Sequence, residues 1–153
     1  MRTLSLTVVA IVAFLLMSCT NRTAYDTYQH TPTAGWEKND TISFDVPAMA
    51  AAGEYTAELG LRIDNSFPFM GVTLIVEQES FPGRRVWTDT LTCELIDKKG
   101  YAKGQGLSYY QYAFPITTLK LEKGDSLHVA VRHDMKREIL PGVSDIGFKL
   151  SLR

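Results

Sequence analysis

The sequence predicts an all-β domain, an antiparallel β-sandwich of jelly-roll-like form, set behind a cleaved N-terminal signal peptide. Three observations lead there. From Thr41 onward apolar residues recur at every second position, the strand period, and not at the helical 3.6. Short clusters of Gly, Pro, Asn and Asp punctuate these runs. The first eighteen residues have the charge, apolar run and small terminal residue of a secretory leader.

The strands follow in order. Ile42, Phe44 and Val46 alternate with Thr41, Ser43 and Asp45. Tyr55, Ala57, Leu59, Leu61 and Ile63 alternate with polar residues and Gly60, the clearest half-buried strand in the chain. Val72 to Glu79 is rich in β-branched residues. Val86 to Ile96 comes next, with a solvated Val86-Thr88-Thr90-Thr92 face. Tyr110, Tyr112, Phe114 and Ile116 share a face, as do Leu127, Val129 and Val131. Ile146, Phe148, Leu150 and Leu152 close the chain. Turn signals at Pro47, Gly53, 65–68, Pro82-Gly83, 98–100, 123–125 and Pro141-Gly142 separate the runs, and seven or eight strands at this spacing suit a sandwich. Residues 48–52 are expected to form a single helical turn.

The leader is specific. Arg2 supplies the positive start, and Leu4 to Met17 is apolar except at Ser5 and Thr7. This run is shorter than the roughly 20 residues a membrane-spanning helix needs. Leu16-Met17-Ser18-Cys19 resembles a lipobox, with Leu at −3, a small residue at −1 and Cys at +1. Cleavage after Ser18 leaves Cys19 as an acylated first residue, so the expected partner there is membrane lipid. One acyl chain binds marginally, whereas two or more hold stably. Thr20 at +2 is not the Asp that resembles an inner-membrane retention signal, which favours sorting to the outer membrane.

Cleavage leaves 135 of the 153 residues, enough for one domain with one core. It removes one basic residue, leaving 15 basic against 17 acidic side chains, so neither a nucleic-acid footprint nor a polybasic membrane patch is expected. Residues 19–35 are polar and read as a tether, within which Tyr25 to Gln29 could pair as an edge strand; 36–153 read as the single β-sandwich domain. Extended, the tether would reach at most about 50 Å. Cys93 is the only other cysteine, so no internal disulfide is available. It shares a strand face with Trp87, Leu91 and Leu95 and reads as a buried apolar thiol.

No constellation of catalytic residues is visible. His30 falls in the tether, and His128 and His133, five apart on a strand, point to opposite faces and cannot share a metal. The glycines at 100, 104 and 106 lead into a strand, not into the helix N-terminus that a phosphate cradle needs. Ser108, Ser126 and Ser144 lie in no nucleophile-elbow pattern. The expectation is therefore a protein without catalytic residues, cofactor or metal. Trp36, Trp87, Tyr101, Tyr109, Tyr110 and Tyr112 carry the alternative, a glycan-binding surface lipoprotein that stacks sugars on exposed rings; core and edge packing is the ordinary role of such residues. Tyr109 and Tyr110 must point to opposite faces of their strand.

Taken in order, these motifs resemble the GldH family of gliding-motility lipoproteins. The shared pattern is a lipobox Cys, then Trp36 to Asp40 and Phe44, then Leu61-Arg62-Ile63-Asp64-Asn65 and Phe67-Pro68-Phe69. Phe81-Pro82-Gly83 leads into Asp89-Thr90-Leu91, followed by the glycine loop. His133-Asp134-Met135 and Leu140-Pro141-Gly142-Val143-Ser144-Asp145-Ile146-Gly147 complete it. Residues 106–110 lack the longer Asp- and Asn-bearing stretch expected after the glycines. The resemblance implies a β-rich lipoprotein of the cell envelope, working with the proteins of a gliding or secretion machinery, and implies no catalytic residues. Gly142 and Gly147 are expected where φ is positive or a backbone comes close. Pro141 is expected to fix the turn before the last strand, and Asp145 to bridge backbone amides in it. Asp40-Thr41-Ile42, Asp89-Thr90-Leu91 and Asp125-Ser126-Leu127 resemble O-glycosylation sites of the bacteria that carry this family.

Overall fold

The alternation read from the sequence becomes two stacked sheets in the structure, a computed structural model that describes residues 22–153. The strands are β1 (Thr23–His30), β2 (Trp36–Glu37), β3 (Ile42–Val46), β4 (Gly53–Asp64), β5 (Gly71–Phe81), β6 (Val86–Glu94), β7 (Tyr109–Leu121), β8 (Ser126–His133), β9 (Ile139–Leu140) and β10 (Val143–Leu152). One sheet runs β1-β10-β4-β7, the other β3-β8-β5-β6, and β2 pairs with β9 in a short ladder of its own. Every pairing is antiparallel. Among the eight long strands, each connection crosses between the sheets except the β5–β6 hairpin, giving the two-sheet jelly roll that the spacing predicts.

The core lies between the sheets. Leu59, Leu61, Phe148 and Leu150 of one sheet meet Phe44, Leu74, Val76, Val129 and Val131 of the other. Each fully buried aliphatic or aromatic side chain contributes roughly 1.5–3 kcal/mol. Pro115 sits on β7, an edge strand, where a residue without an N–H does least harm to a ladder, and Ile116 is the extra residue of a bulge opposite Ala57 and Glu58. Ser144 is bulged in the same way between Val143 and Asp145, opposite Ile63 and Arg62.

Two expectations change. The domain does not begin at residue 36: Thr23–His30 is an edge strand on β10, with Tyr25 against Phe148 at 6.3 Å. Residues 23–30 of the expected 19–35 tether are therefore part of the sandwich. The edge strand allowed for at Tyr25 to Gln29 is thus longer, and its polar composition fits an edge strand, which has one open side and needs few apolar residues. Residues 48–52 are not a helical turn. Met49 is buried, its N–H donates to the Asp125 carbonyl (2.8 Å), and its own carbonyl accepts from Gly124 (2.9 Å). The peptide groups there bond to a neighbouring turn instead of to one another.

Candidate functional site

Strand direction sorts the molecule into two ends. The first residue of β1 pairs with Ser151, Gly53 pairs with Leu121, and Val46 pairs with Leu127. Hairpin residue Arg85 reaches the Lys120 carbonyl (3.0 Å) and Asp125 (3.2 Å). The 47–52, 82–85 and 122–125 connections thus share the end where the described chain begins. The other connections, 65–70, 95–108 and 134–142, lie at the opposite end. Cys19, the expected lipidation site, lies outside the described residues, three positions before Arg22.

The opposite end carries most of the exposed apolar surface. Among the described residues, Met70, Tyr101, Leu107, Tyr109 and Ile139 are all there, 47–91% exposed, against Val86 alone at the first end. A groove of about 660 Å³ opens beside Met70, Val72, Ile96, Lys98, Lys99 and Met135. Its outer wall is a small hairpin: Ile96 bridges to Ala102, and Asp97 Oδ1 accepts the N–H groups of Lys99 (2.8 Å) and Tyr101 (2.9 Å). The Met70 carbonyl anchors this wall by accepting from Leu95 and Ile96. A Lys103–Glu94 ion pair stands between this groove and a second one of about 610 Å³ lined by Gln105, Gln111, Tyr112 and Phe114. The hydrogen bond from Lys103 holds Glu94 below the usual carboxylate range. Tyr112 and Phe114 stack at 5.9 Å.

The histidines separate as the strand period requires. His128 is exposed and bonds Asp45 (2.7 Å). His133 is buried, donates from Nε2 to the Trp36 carbonyl (3.0 Å) and packs edge-on against the Trp36 ring at 5.3 Å. Burial lowers its pKa. Cys93 is buried in the core, and burial pushes its thiol up to about 12. Among the described residues no group of three or more His, Cys, Asp or Glu stands close enough to hold a metal. Of the expected ring residues, Trp36 and Tyr112 are buried, Trp87 and Tyr110 are half-buried, and only Tyr101 and Tyr109 are exposed. Tyr109 lines a groove beside Thr33, Asp64 and Pro141.

A family model described as GldH lipoprotein matches residues 23–150, essentially all of this sandwich. The chain belongs to the GldH lipoprotein family. A relative named gliding motility lipoprotein GldH, from Flavobacterium johnsoniae, is 28% identical over 155 residues, covering 94% of this chain and 93% of that protein. Among solved structures, the globular domain of zebrafish complement 1qA protein is similar over 86% of this chain and 97% of its own, with 12% identity and a TM-score of 0.45. A carbohydrate-binding module of family 35 from Cellvibrio japonicus is similar over 84% and 97%, with 11% identity and a TM-score of 0.37. Likeness at that level says nothing of ligands.

The residues that carry the GldH resemblance hold this end of the sandwich together. Trp36 Nε1 donates to the Asp40 carbonyl (3.0 Å). Asp64 accepts from Ser66 N (2.7 Å), and its own N–H donates to the Gly142 carbonyl (2.8 Å). Gly142 has φ +80°, and a Cβ there would overlap the Phe67 backbone, so its expected reason for being glycine holds twice over. Asp145 departs from expectation. It lies past the turn, with Oδ2 accepting from the Ser144 hydroxyl (2.8 Å) and Oδ1 2.5 Å from His30 Nδ1 on β1. It ties two strands and bridges no turn amides: paired with Arg62 and out of phase with inward Ile146 and Phe148, it points to the outer face of the sheet. Thr41 and Thr90, of the glycosylation-like triplets, are exposed, whereas Ser126 is half-buried at the start of β8.

Proposed function

We propose that this chain is a lipid-anchored, non-catalytic component of the gliding and secretion apparatus of the cell envelope, held in the outer membrane through acylated Cys19 and acting in assembly with other envelope proteins. The observation that carries the reading is where β1 starts. In a chain of the GldH lipoprotein family, the first strand begins at Thr23, four residues after the lipobox cysteine. Four residues reach at most about 14 Å. The lipid would therefore hold one end of the sandwich against the bilayer, and the opposite end, with its exposed apolar residues and grooves, would face away from the membrane. Thr20 at +2 supports the outer membrane as the destination.

The test is a mild-detergent pull-down of tagged protein from native membranes, with Cys19→Ala as control. Co-purification of envelope proteins that is lost with Cys19→Ala is the expected result. Recovery of the lipoprotein alone would overturn the assembly role and move the weight to glycan binding by Tyr101 and Tyr109, for which a glycan array is the direct measurement. Acyl labelling of the Cys19→Ala variant at the normal level would show that the anchor is elsewhere.

A further inference from the structure

The groove between Met70, Met135 and the 96–103 hairpin has a definite chemistry. Its floor is apolar, with Val72 beneath and Ile96 on the wall. Two methionines border it. Met70 is 61% exposed, and Met135 is half-buried with its sulfur 3.4 Å from the Thr73 N–H. Methionine is unbranched and polarisable, suited to surfaces that re-pack around an incoming side chain. The rim is charged unevenly. Of its two acids, Glu94 is paired with Lys103, and Asp97 spends Oδ1 on the backbone of its own hairpin. Lys98 and Lys99 make no salt bridge among the described residues and are exposed. The rim carries three lysines against two carboxylates, a net of +1, above an apolar floor.

We infer that this groove is the docking site for a short extended segment of a partner protein, one apolar side chain seated between Met70 and Met135 and flanking carboxylates set against Lys98 and Lys99. The net positive rim favours an anionic partner, and the groove runs beside Thr92, Cys93 and Glu94 of β6, the edge strand of its sheet, which suits an extended segment. The inference rests on the anchored-assembly reading, which places this end away from the membrane and within reach of other envelope proteins.

The experiment is site-specific photocrosslinking in intact cells. A photoreactive amino acid replaces Met70 or, separately, Lys99 in the full-length protein, with Lys123 at the anchor end as control, and the cross-linked peptide is sequenced by mass spectrometry. The expected result is a protein segment carrying an apolar residue flanked by Asp or Glu, captured from positions 70 and 99 and not from 123. The double variant K98E/K99E, both positions solvent-exposed, should reduce that cross-link about tenfold with an unchanged circular dichroism spectrum. Capture from 123 equal to that from 70, a captured lipid or glycan, a captured peptide without carboxylates, or indifference to K98E/K99E would each overturn it. Membrane fractionation separates the two readings. A protein that sediments with membranes but cross-links nothing at 70 and 99 refutes the groove alone, whereas one that cross-links there yet never sediments refutes the anchor alone.

Discussion

Gly60 and Gly147 face each other across the β4–β10 ladder, and the ring of Tyr28, from β1, lies over both. A Cβ on Gly147 would sit 2.7 Å from the ring, and one on Gly60 equally close. Arg62 covers the ring from outside, its guanidinium carbon 3.8 Å from the centroid, and its Nε donates to Gln111 on β7 (3.2 Å). One tyrosine thus clasps the edge strand nearest the anchor onto the sheet, and burial raises its pKa, with Arg62 opposing. Gly147→Ala should destabilise the domain by about 1–3 kcal/mol, the usual range for overpacking. With Tyr28 already replaced by Ala, the same change should cost far less. Urea unfolding of the two single variants and the double variant measures the coupling, expected at roughly 0.5–3 kcal/mol for residues in contact. Simple additivity would mean the ring is not what keeps these positions bare.

Gln78 should be replaceable at a gain. It is fully buried on the inner face of β5, and neither its Nε2 nor its Oε1 has a hydrogen-bond partner among the described residues; the hydroxyl of nearby buried Ser80 has none either. An unsatisfied buried polar group costs about 1–3 kcal/mol. Gln78→Met, close in volume, should raise the melting temperature by a few degrees, on the order of 4 °C per kcal/mol, between the values for smaller and larger domains. Scanning calorimetry reads it directly. A lowered melting temperature would show that the amide has a stabilising role.

The sequence was most legible where one residue reports on its own surroundings. The 55–63 alternation is β4 because each inward position is buried, and Gly147 could be read as a close approach because a glycine inside a strand has few other reasons to be there. It was least legible where structure depends on partners far along the chain. Thr23–His30 was legible only as a possible edge strand within a tether, because its inward residues are mostly Thr and Tyr; pairing with β10 makes it part of the sandwich. The groove brings Met70 and Met135 together from two connections with no local pattern linking them. Asp145 was legible as important, but its ion-pair partner is His30 on β1, far along the chain, and no local pattern links the two.

Cys93 should react as a buried thiol, not as an exposed nucleophile. It is buried and its pKa lies near 12, so almost no thiolate exists at neutral pH. Maleimide labelling of the native protein should be slow and should track urea-induced unfolding, with Cys93→Ser as the unlabelled control. Fast labelling without denaturant would mean that the edge strand β6 opens on its own.

Stability should fall in mild acid through His133. The buried imidazole donates to the Trp36 carbonyl, and its Nδ1 accepts from Met135 N (3.4 Å), an arrangement that requires the neutral ring. Burial lowers its pKa first of all, with Lys38 adding to this and Asp134 and Glu138 acting against it. An unfolded histidine takes its proton near pH 6.5. Below that value the unfolded chain binds a proton the folded chain refuses, so stability is full above about 6.5, declines as pH drops, and levels off once pH passes the lowered folded value. The slope for one such group is at most about 1.4 kcal/mol per pH unit. Urea midpoints measured between about pH 7 and pH 5, a window set by histidine titration, should show this decline in the native sequence and a clearly flatter profile in His133→Gln. That variant loses some stability at neutral pH, but it removes the titrating group from the Trp36 ladder. An unchanged slope in His133→Gln would assign the acid sensitivity to another group.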